Sequence, residues 1–147
     1  MDTRFSVAIH MLVLISEAEE PMSSAAIAES TGTNASYIRK LGMMLKDGGI
    51  ISGHQGKSGF ELCVDAKELP LMAIYQAIYG TDRISLFDIH QNANDRCIVG
   101  RHIKPVLERT FRSVEQEAEK ELSHRTLADC IRDLKKEAGY IEKEQAK

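Results

Sequence analysis

Residues 23–64 read SSAAIAESTGTNASYIRKLGMMLKDGGIISGHQGKSGFELCV, and this stretch decides the fold class. It predicts a short helix, a tight turn at Gly32, a second helix and a two-stranded hairpin with a Gly-rich tip. Gly suits such a turn because it tolerates positive φ. This order is that of a winged helix-turn-helix, in which the second helix enters the major groove of DNA and the hairpin lies beside it.

The second predicted helix has two contrasting faces. Ile38, Leu41 and Leu45 are spaced i, i+3 and i+7, which predicts one buried stripe. The polar residues expected to cap the two helices are Ser23 or Ser24 for the first and Thr33 or Asn34 for the second. The face opposite the stripe carries polar and basic residues near the helix start, namely Ser36, Tyr37, Arg39 and Lys40.

Both the second helix and the hairpin tip are predicted to contact DNA. Arg39 is the best candidate for a guanine contact, because its guanidinium can bond two acceptors of that base. The hairpin tip, residues 54–58, is expected to reach the adjacent minor groove or its phosphates. The predicted DNA-contacting residues are Ser24, Asn34, Ser36, Tyr37, Arg39, Lys40, His54, Gln55, Lys57 and Ser58.

The net charge of −3 counts against DNA binding, since domains that bind DNA are often basic. The distribution of charge counts in its favour. Between Thr33 and Phe60 the chain carries a net charge of +3, so the remainder carries −6. A locally positive face on an acidic body can bind phosphate with a steep salt dependence. The alternative is that these are ordinary solvated charges on an exposed face.

The stretch resembles the Rrf2 (IscR-like) family of bacterial winged-helix transcriptional regulators. The similarity rests on residues 39–45, on Gly48-Gly49-Ile50-Ile51 and on Ser58-Gly59-Phe60-Glu61-Leu62, and it covers most of residues 1–138. The resemblance implies a sequence-specific regulator that binds double-stranded DNA, and we expect a repressor rather than an activator. A winged-helix module that binds a ligand or a protein, and no DNA, is the alternative.

The resemblance also suggests how the chain is divided. We expect a winged helix-turn-helix domain over residues 1–80, a loop over 81–98, a dimerisation helix and a docking C-terminal helix over 99–138, and a charged tail over 139–147. In cluster-bearing relatives the loop holds an iron–sulfur cluster through three cysteines and a further ligand. Here the loop has only Cys97, so no cluster and no other cofactor is expected. A cluster shared between subunits, or a metal bound with His90 or His102, is the weaker alternative.

Cys97 itself has two interpretations. At the N-terminus of the next helix, the helix dipole with Arg96 and Arg101 would lower the pKa of its thiol below about 8.5 and favour the reactive thiolate. The protein would then be a redox sensor, or a sensor of a thiol-reactive effector. The alternative, which we favour at this point, is a small buried apolar residue. The sequence does not identify any small-molecule effector.

Residues 99–123 predict a long amphipathic helix. Its apolar stripe is close to a heptad seam and is longer than a small winged-helix domain can cover. Pairing with the same helix of a second chain would form a homodimer that matches a palindromic operator; packing onto its own domain is the alternative. The predicted interface residues are Ile103, Leu107, Thr110, Val114, Ala118 and Leu122. The residues expected on the outer side are Arg109, Arg112, Glu115, Glu117, Glu119 and Lys120.

The flanking segments are expected to support this domain. A first helix over residues 2–18 and a helix from Pro70 to Tyr79 should pack against the core, and a last helix should dock Leu127, Ile131 and Leu134. No apolar run is long enough to cross a membrane and no signal peptide is evident, so a cytoplasmic location is expected. No catalytic triad, phosphate loop, HExxH or dinucleotide fingerprint occurs, so an enzyme is not expected.

Overall fold

The computed structural model describes residues 2–53 and 59–139. These residues form six α-helices and one two-stranded antiparallel sheet, which confirms the predicted mainly α class with a small β-hairpin. The elements are α1 (Arg4–Glu17), α2 (Ser24–Thr31), α3 (Ala35–Asp47), β1 (Ile51–Gly53), β2 (Phe60–Leu62), α4 (Leu71–Tyr79), α5 (Ile98–His124) and α6 (Leu127–Glu137). In these ranges no helix combines the length and the apolar content needed to span a bilayer.

One hydrophobic core joins α1, α2, α3, α4, α6 and the start of the hairpin. Its large, fully buried side chains are Met11, Leu12, Ile27, Ile38, Leu41, Leu45, Ile51, Ile74 and Leu127. The whole predicted stripe of α3 belongs to this set, so the helical period identified the buried face correctly. Of the apolar residues described in α5, Leu122 is the one that packs against this core.

The two helices of the helix-turn-helix are capped by side chains that precede them. The Ser23 hydroxyl accepts a hydrogen bond from the backbone N–H of Ala26 at 3.1 Å. Gly32 closes α2 in the left-handed conformation, with φ 69°, which a side chain would strain. Asn34 Oδ1 then accepts from the backbone N–H of Tyr37 at 2.9 Å. Ser23 and Asn34 are therefore the caps, and Ser24 and Thr33 are not.

The hairpin is fixed to the helix-turn-helix at its base. β1 and β2 pair in the register Ile51 with Leu62 and Gly53 with Phe60. The loop before α2 adds a bridge, because the backbones of Met22 and Phe60 exchange hydrogen bonds of 3.3 and 2.8 Å. The Phe60 ring lies against Gly42 of α3, where a Cβ would stand 2.8 Å from its Cζ. The absence of a side chain at Gly42 thus lets the hairpin pack closely on α3.

Residues 81–97 contain no helix or strand and pass beside α5. Glu115 accepts from the backbone N–H of Leu86 at 2.7 Å, and Glu119 accepts from that of Ile84 at 2.9 Å. We call these two contacts the carboxylate clamp. Arg112 pairs with both oxygens of Glu119 at 2.8 Å, and this pairing lowers the pKa of the Glu119 carboxyl.

The carboxylate clamp corrects the prediction that Arg112, Glu115 and Glu119 lie on the outer side of the long helix. Glu115 is only 8% exposed. The loop covers this side of α5, and its backbone N–H groups require acceptors that the carboxylates supply.

The prediction for Leu134 is also wrong, since this residue is 48% exposed. The next residue, Lys135, forms an ion pair with Glu17 at the end of α1 at 3.4 Å.

The cap at Asn34 can be tested through stability. Asn34→Ala should lower the free energy of unfolding by about 1 kcal/mol, because the N–H of Tyr37 loses its partner. Urea denaturation followed by circular dichroism measures the change. Asn34→Ser, which keeps a capping oxygen, should retain most of the stability. Equal losses for Ala and Ser would contradict a capping role.

Candidate nucleic-acid interface

The solvent face of α3 presents a compact set of polar and basic side chains. Ser36, Arg39 and Lys40 are all exposed, whereas the stripe on the opposite face has no exposure. Within the part of the chain that the structure describes, no hydrogen bond or ion pair engages the side chains of Arg39 and Lys40. A guanidinium and an ammonium are therefore available together on the outer side of the second helix.

The position of Tyr37 on α3 differs from the predicted one. It was expected opposite the buried stripe, but it is half-buried and packs against the core. The reason is angular, since a residue directly before Ile38 lies 100° around the helix from it and borders the stripe rather than opposing it. Tyr37 can offer only part of its surface to a ligand.

Two further predicted residues lie at helix starts. Ser24 is the first residue of α2 and is partly exposed. Asn34 is exposed, and its Oδ1 is committed to capping α3, which leaves the two donors of its amide nitrogen for other partners. Donors at helix N-termini suit anions, because the unpaired backbone N–H groups there carry partial positive charge.

The hairpin tip lies outside the described residues. The predicted tip residues that fall there are His54, Gln55, Lys57 and Ser58. The strands that lead to the tip are described, and β1 and Phe60 both contact α3. The tip is therefore joined to a base that is fixed against α3.

α5 exposes an apolar face over most of its length. Of the predicted interface residues, Thr110 and Val114 are exposed, and Ile103, Leu107, Ala118 and Leu122 are partly buried. Leu122 packs against the core of its own domain. For this one residue the structure agrees with the alternative interpretation, in which the whole stripe would pack onto its own domain. Sequence reasoning missed three further exposed apolar residues of the helix, Ile98, Val99 and Val106. The spacing of Val99 and Val106 with Ile103, i−4 and i+3, could have revealed those two, whereas Ile98 lies on a different side of the helix.

Cys97 is the N-cap residue of α5 and is exposed, so the interpretation as a buried apolar residue is wrong for this chain. The backbone N–H groups of Gly100 and Val99 hold the pKa of its thiol below the ordinary value. The predicted arginines, Arg96 and Arg101, are not among the causes of this lowering, and the Arg101 guanidinium donates to the carbonyl oxygen of Asp95 at 2.8 Å. By contrast, burial raises the pKa of the Cys130 thiol in α6.

The cysteines do not form a donor set for a cluster. Cys63 follows β2, Cys97 precedes α5 and Cys130 lies within α6. In residues 2–53 and 59–139 no group of three His, Cys, Asp or Glu side chains is placed to hold a metal ion. The side chains described for one protomer therefore do not fit an iron–sulfur cluster.

Comparison with known proteins gives concordant results. The sequence model of the Rrf2 family, described as an iron-dependent transcriptional regulator, matches residues 1–133. YwnA of Bacillus subtilis (strain 168), a candidate HTH-type transcriptional regulator, is 36% identical over 134 residues, which are 91% of this chain and 98% of that protein.

Two solved structures share the fold. A crystal structure of a candidate DNA-binding protein has a TM-score of 0.70 and 34% identity, and the match covers 87% of this chain and 98% of the other. The structure of T. potens IscR has a TM-score of 0.67 and 20% identity over 91% of this chain and 87% of its own. The match to residues 1–133 and the 36% identity to a relative of similar length show that the chain belongs to the Rrf2 family of transcriptional regulators.

Proposed function

We propose that this regulator acts in the cytoplasm as a homodimeric repressor that binds a palindromic DNA operator. The observation that carries the proposal is the contrast between the two faces of α3. One face is locked into the core by Ile38, Leu41 and Leu45, and the other holds Arg39 and Lys40 exposed to solvent. A basic helix face held rigidly outward is what major-groove recognition requires.

The proposed contacts divide into two kinds. Arg39 bonds the two acceptors of a guanine and supplies sequence preference, with Ser36 and the exposed part of Tyr37 beside it. Phosphate contacts, which position the protein, come from Lys40 and from Ser24 and Asn34 at the helix starts. The tip residues His54, Gln55, Lys57 and Ser58 extend to the adjacent minor groove or its phosphates.

The proposed dimer uses the apolar face of α5. Val106 and Val114 are exposed on this helix although they are large apolar residues, and the half-buried Ile103 and Leu107 lie on the same face. Contiguous apolar surface of this kind is a feature of interfaces between proteins. A two-fold pair of α5 helices would present two α3 helices to two half-sites, which explains the expectation of a palindromic operator.

We further propose that the protein works without an iron–sulfur cluster. Support comes from the single loop cysteine and from the separation of Cys63, Cys97 and Cys130 onto different elements.

A second candidate role is a thiol sensor. It is favoured by one specific observation, the exposed Cys97 thiol with a lowered pKa directly before α5, the proposed dimerisation helix. A thiol-reactive effector that modified this sulfur would act beside the proposed dimer interface.

The DNA contacts can be separated by fluorescence anisotropy with duplex DNA from upstream of the protein's own gene. Arg39→Ala should cost about 1–3 kcal/mol of binding free energy and relax the preference at one operator position. Lys57→Ala should weaken binding to the native and the scrambled duplex alike and reduce the salt dependence. Lys104→Ala, in the first turns of α5, is the matched control and should bind normally. A dimer that binds both duplexes equally weakly would favour the module without DNA binding.

The dimer can be tested by sedimentation velocity. The double substitution Leu107→Glu and Val114→Glu places two charges in the proposed interface and should convert the protein to a monomer, because a buried unpaired charge is costly. Arg109→Glu, on the outer side of the same helix, should leave the mass unchanged. A wild-type protein that sediments as a monomer would refute the proposed assembly.

Cys97 can be tested in a variant that lacks the other thiols, Cys63→Ser with Cys130→Ala. A folded-state pKa below the ordinary value means that thiolate forms at lower pH than in the unfolded chain. The rate of alkylation by iodoacetamide should therefore rise at lower pH in the folded protein than in urea. Identical pH profiles in the two states would exclude activation by the fold. If the sensor role holds, oxidation should release DNA from the wild-type protein but not from Cys97→Ser.

A further inference from the structure

Met43 is an apolar residue in an unexpected place. It lies in the second half of α3 and is 66% exposed, although methionine is usually buried. The adjacent Met44 is half-buried and packs against the core. The core around α3 is therefore filled without Met43, whose side chain extends into solvent.

The position of Met43 on α3 is the centre of the outer face. Ser36, Arg39, Lys40 and Met43 are spaced i, i+3, i+4 and i+7, so they lie along one side of the helix over two turns. Met43 falls on the line opposite the buried stripe, with a basic residue one turn before it on either side. A recognition helix can read bases from four positions with this spacing, as in the homeodomain.

The chemistry of Met43 limits what it can recognise. A thioether carries no strong hydrogen-bond donor or acceptor, so it cannot read guanine, cytosine or adenine through their polar edges. In the major groove the apolar group on a base edge is the C5-methyl of thymine. A flexible, polarizable side chain can adapt its end to such a group.

We propose that Met43 contacts the C5-methyl group of a thymine in the major groove and makes that base a determinant of operator preference. The inference rests on the proposed function, because it requires α3 to enter the major groove. It assigns to Met43 an apolar contact that complements the polar contacts of Arg39. From Ser36 to Met43 the helix rises about 10 Å, so the thymine should lie about three base-pair steps from the bases near Ser36.

The test uses deoxyuridine, which pairs like thymidine but lacks the C5-methyl group. A preferred duplex is first selected by the wild-type protein from a randomised DNA library. Thymines are then replaced by uracil one at a time, and affinity is measured by anisotropy. Wild-type protein should lose about fourfold in affinity at one thymine of each half-site, from the loss of one buried methyl group.

Variants then assign that loss to Met43. Met43→Ala and Met43→Gln should bind the thymine and uracil duplexes equally at this position, and Arg39→Ala should retain the preference for thymine. Because Met43 is exposed, both variants should fold normally, which circular dichroism checks.

Two results would overturn the inference while leaving the proposed function intact. One is sequence-preferring binding with no uracil effect at any thymine. The other is a uracil effect that persists unchanged in both Met43 variants. Selection that yields no preferred duplex would overturn the proposed function, and the inference with it.

Discussion

The burial of one stripe of α3 is the constraint on which the candidate interface depends. Ile38, Leu41 and Leu45 have no exposed surface, and truncation of such residues to Ala costs about 2–5 kcal/mol each in comparable cores. Three large side chains held in this way leave α3 neither free to rotate nor free to slide. The direction of Arg39 and Lys40 is therefore set by hydrophobic packing on the far side of the helix, and not by contacts of their own.

The same core also sets where the hairpin lies. Ile51 of β1 is fully buried in it, and Phe60 of β2 occupies the space left by Gly42 on α3. The backbone bridge from Met22 ties β2 to the loop before α2 as well. α3 and the paired strands β1 and β2 are thus parts of one packed unit. Their spacing is built into the protein before any partner arrives, which lowers the entropy cost of ordering them on binding.

The sequence predicted those parts whose structure is set locally. Short-range sequence patterns predict the helix caps, the turn at Gly32 and the buried stripe of α3, and the structure shows all three. The clamp residues Glu115 and Glu119 were assigned to the wrong face, because residues 81–97 have no periodicity to show that they return onto α5. Exposure at Cys97 likewise depends on tertiary placement. Predictions that fall on residues 54–58 and 140–147 lie outside the described structure.

The carboxylate clamp has a consequence for how this chain can vary. Its acceptors are side chains of α5, at Glu115 and Glu119, but its donors are backbone N–H groups of Leu86 and Ile84. Every residue except proline carries a backbone N–H donor. These two hydrogen bonds therefore do not depend on which side chain stands at either loop position. Exposed positions of the loop can therefore change without loss of these two hydrogen bonds, whereas Ile84, which is buried, and Phe87, whose ring packs against Phe111, are constrained by packing. At the two glutamates, by contrast, a substitution at either one removes the acceptor of one of these backbone hydrogen bonds although the loop's own sequence is unchanged.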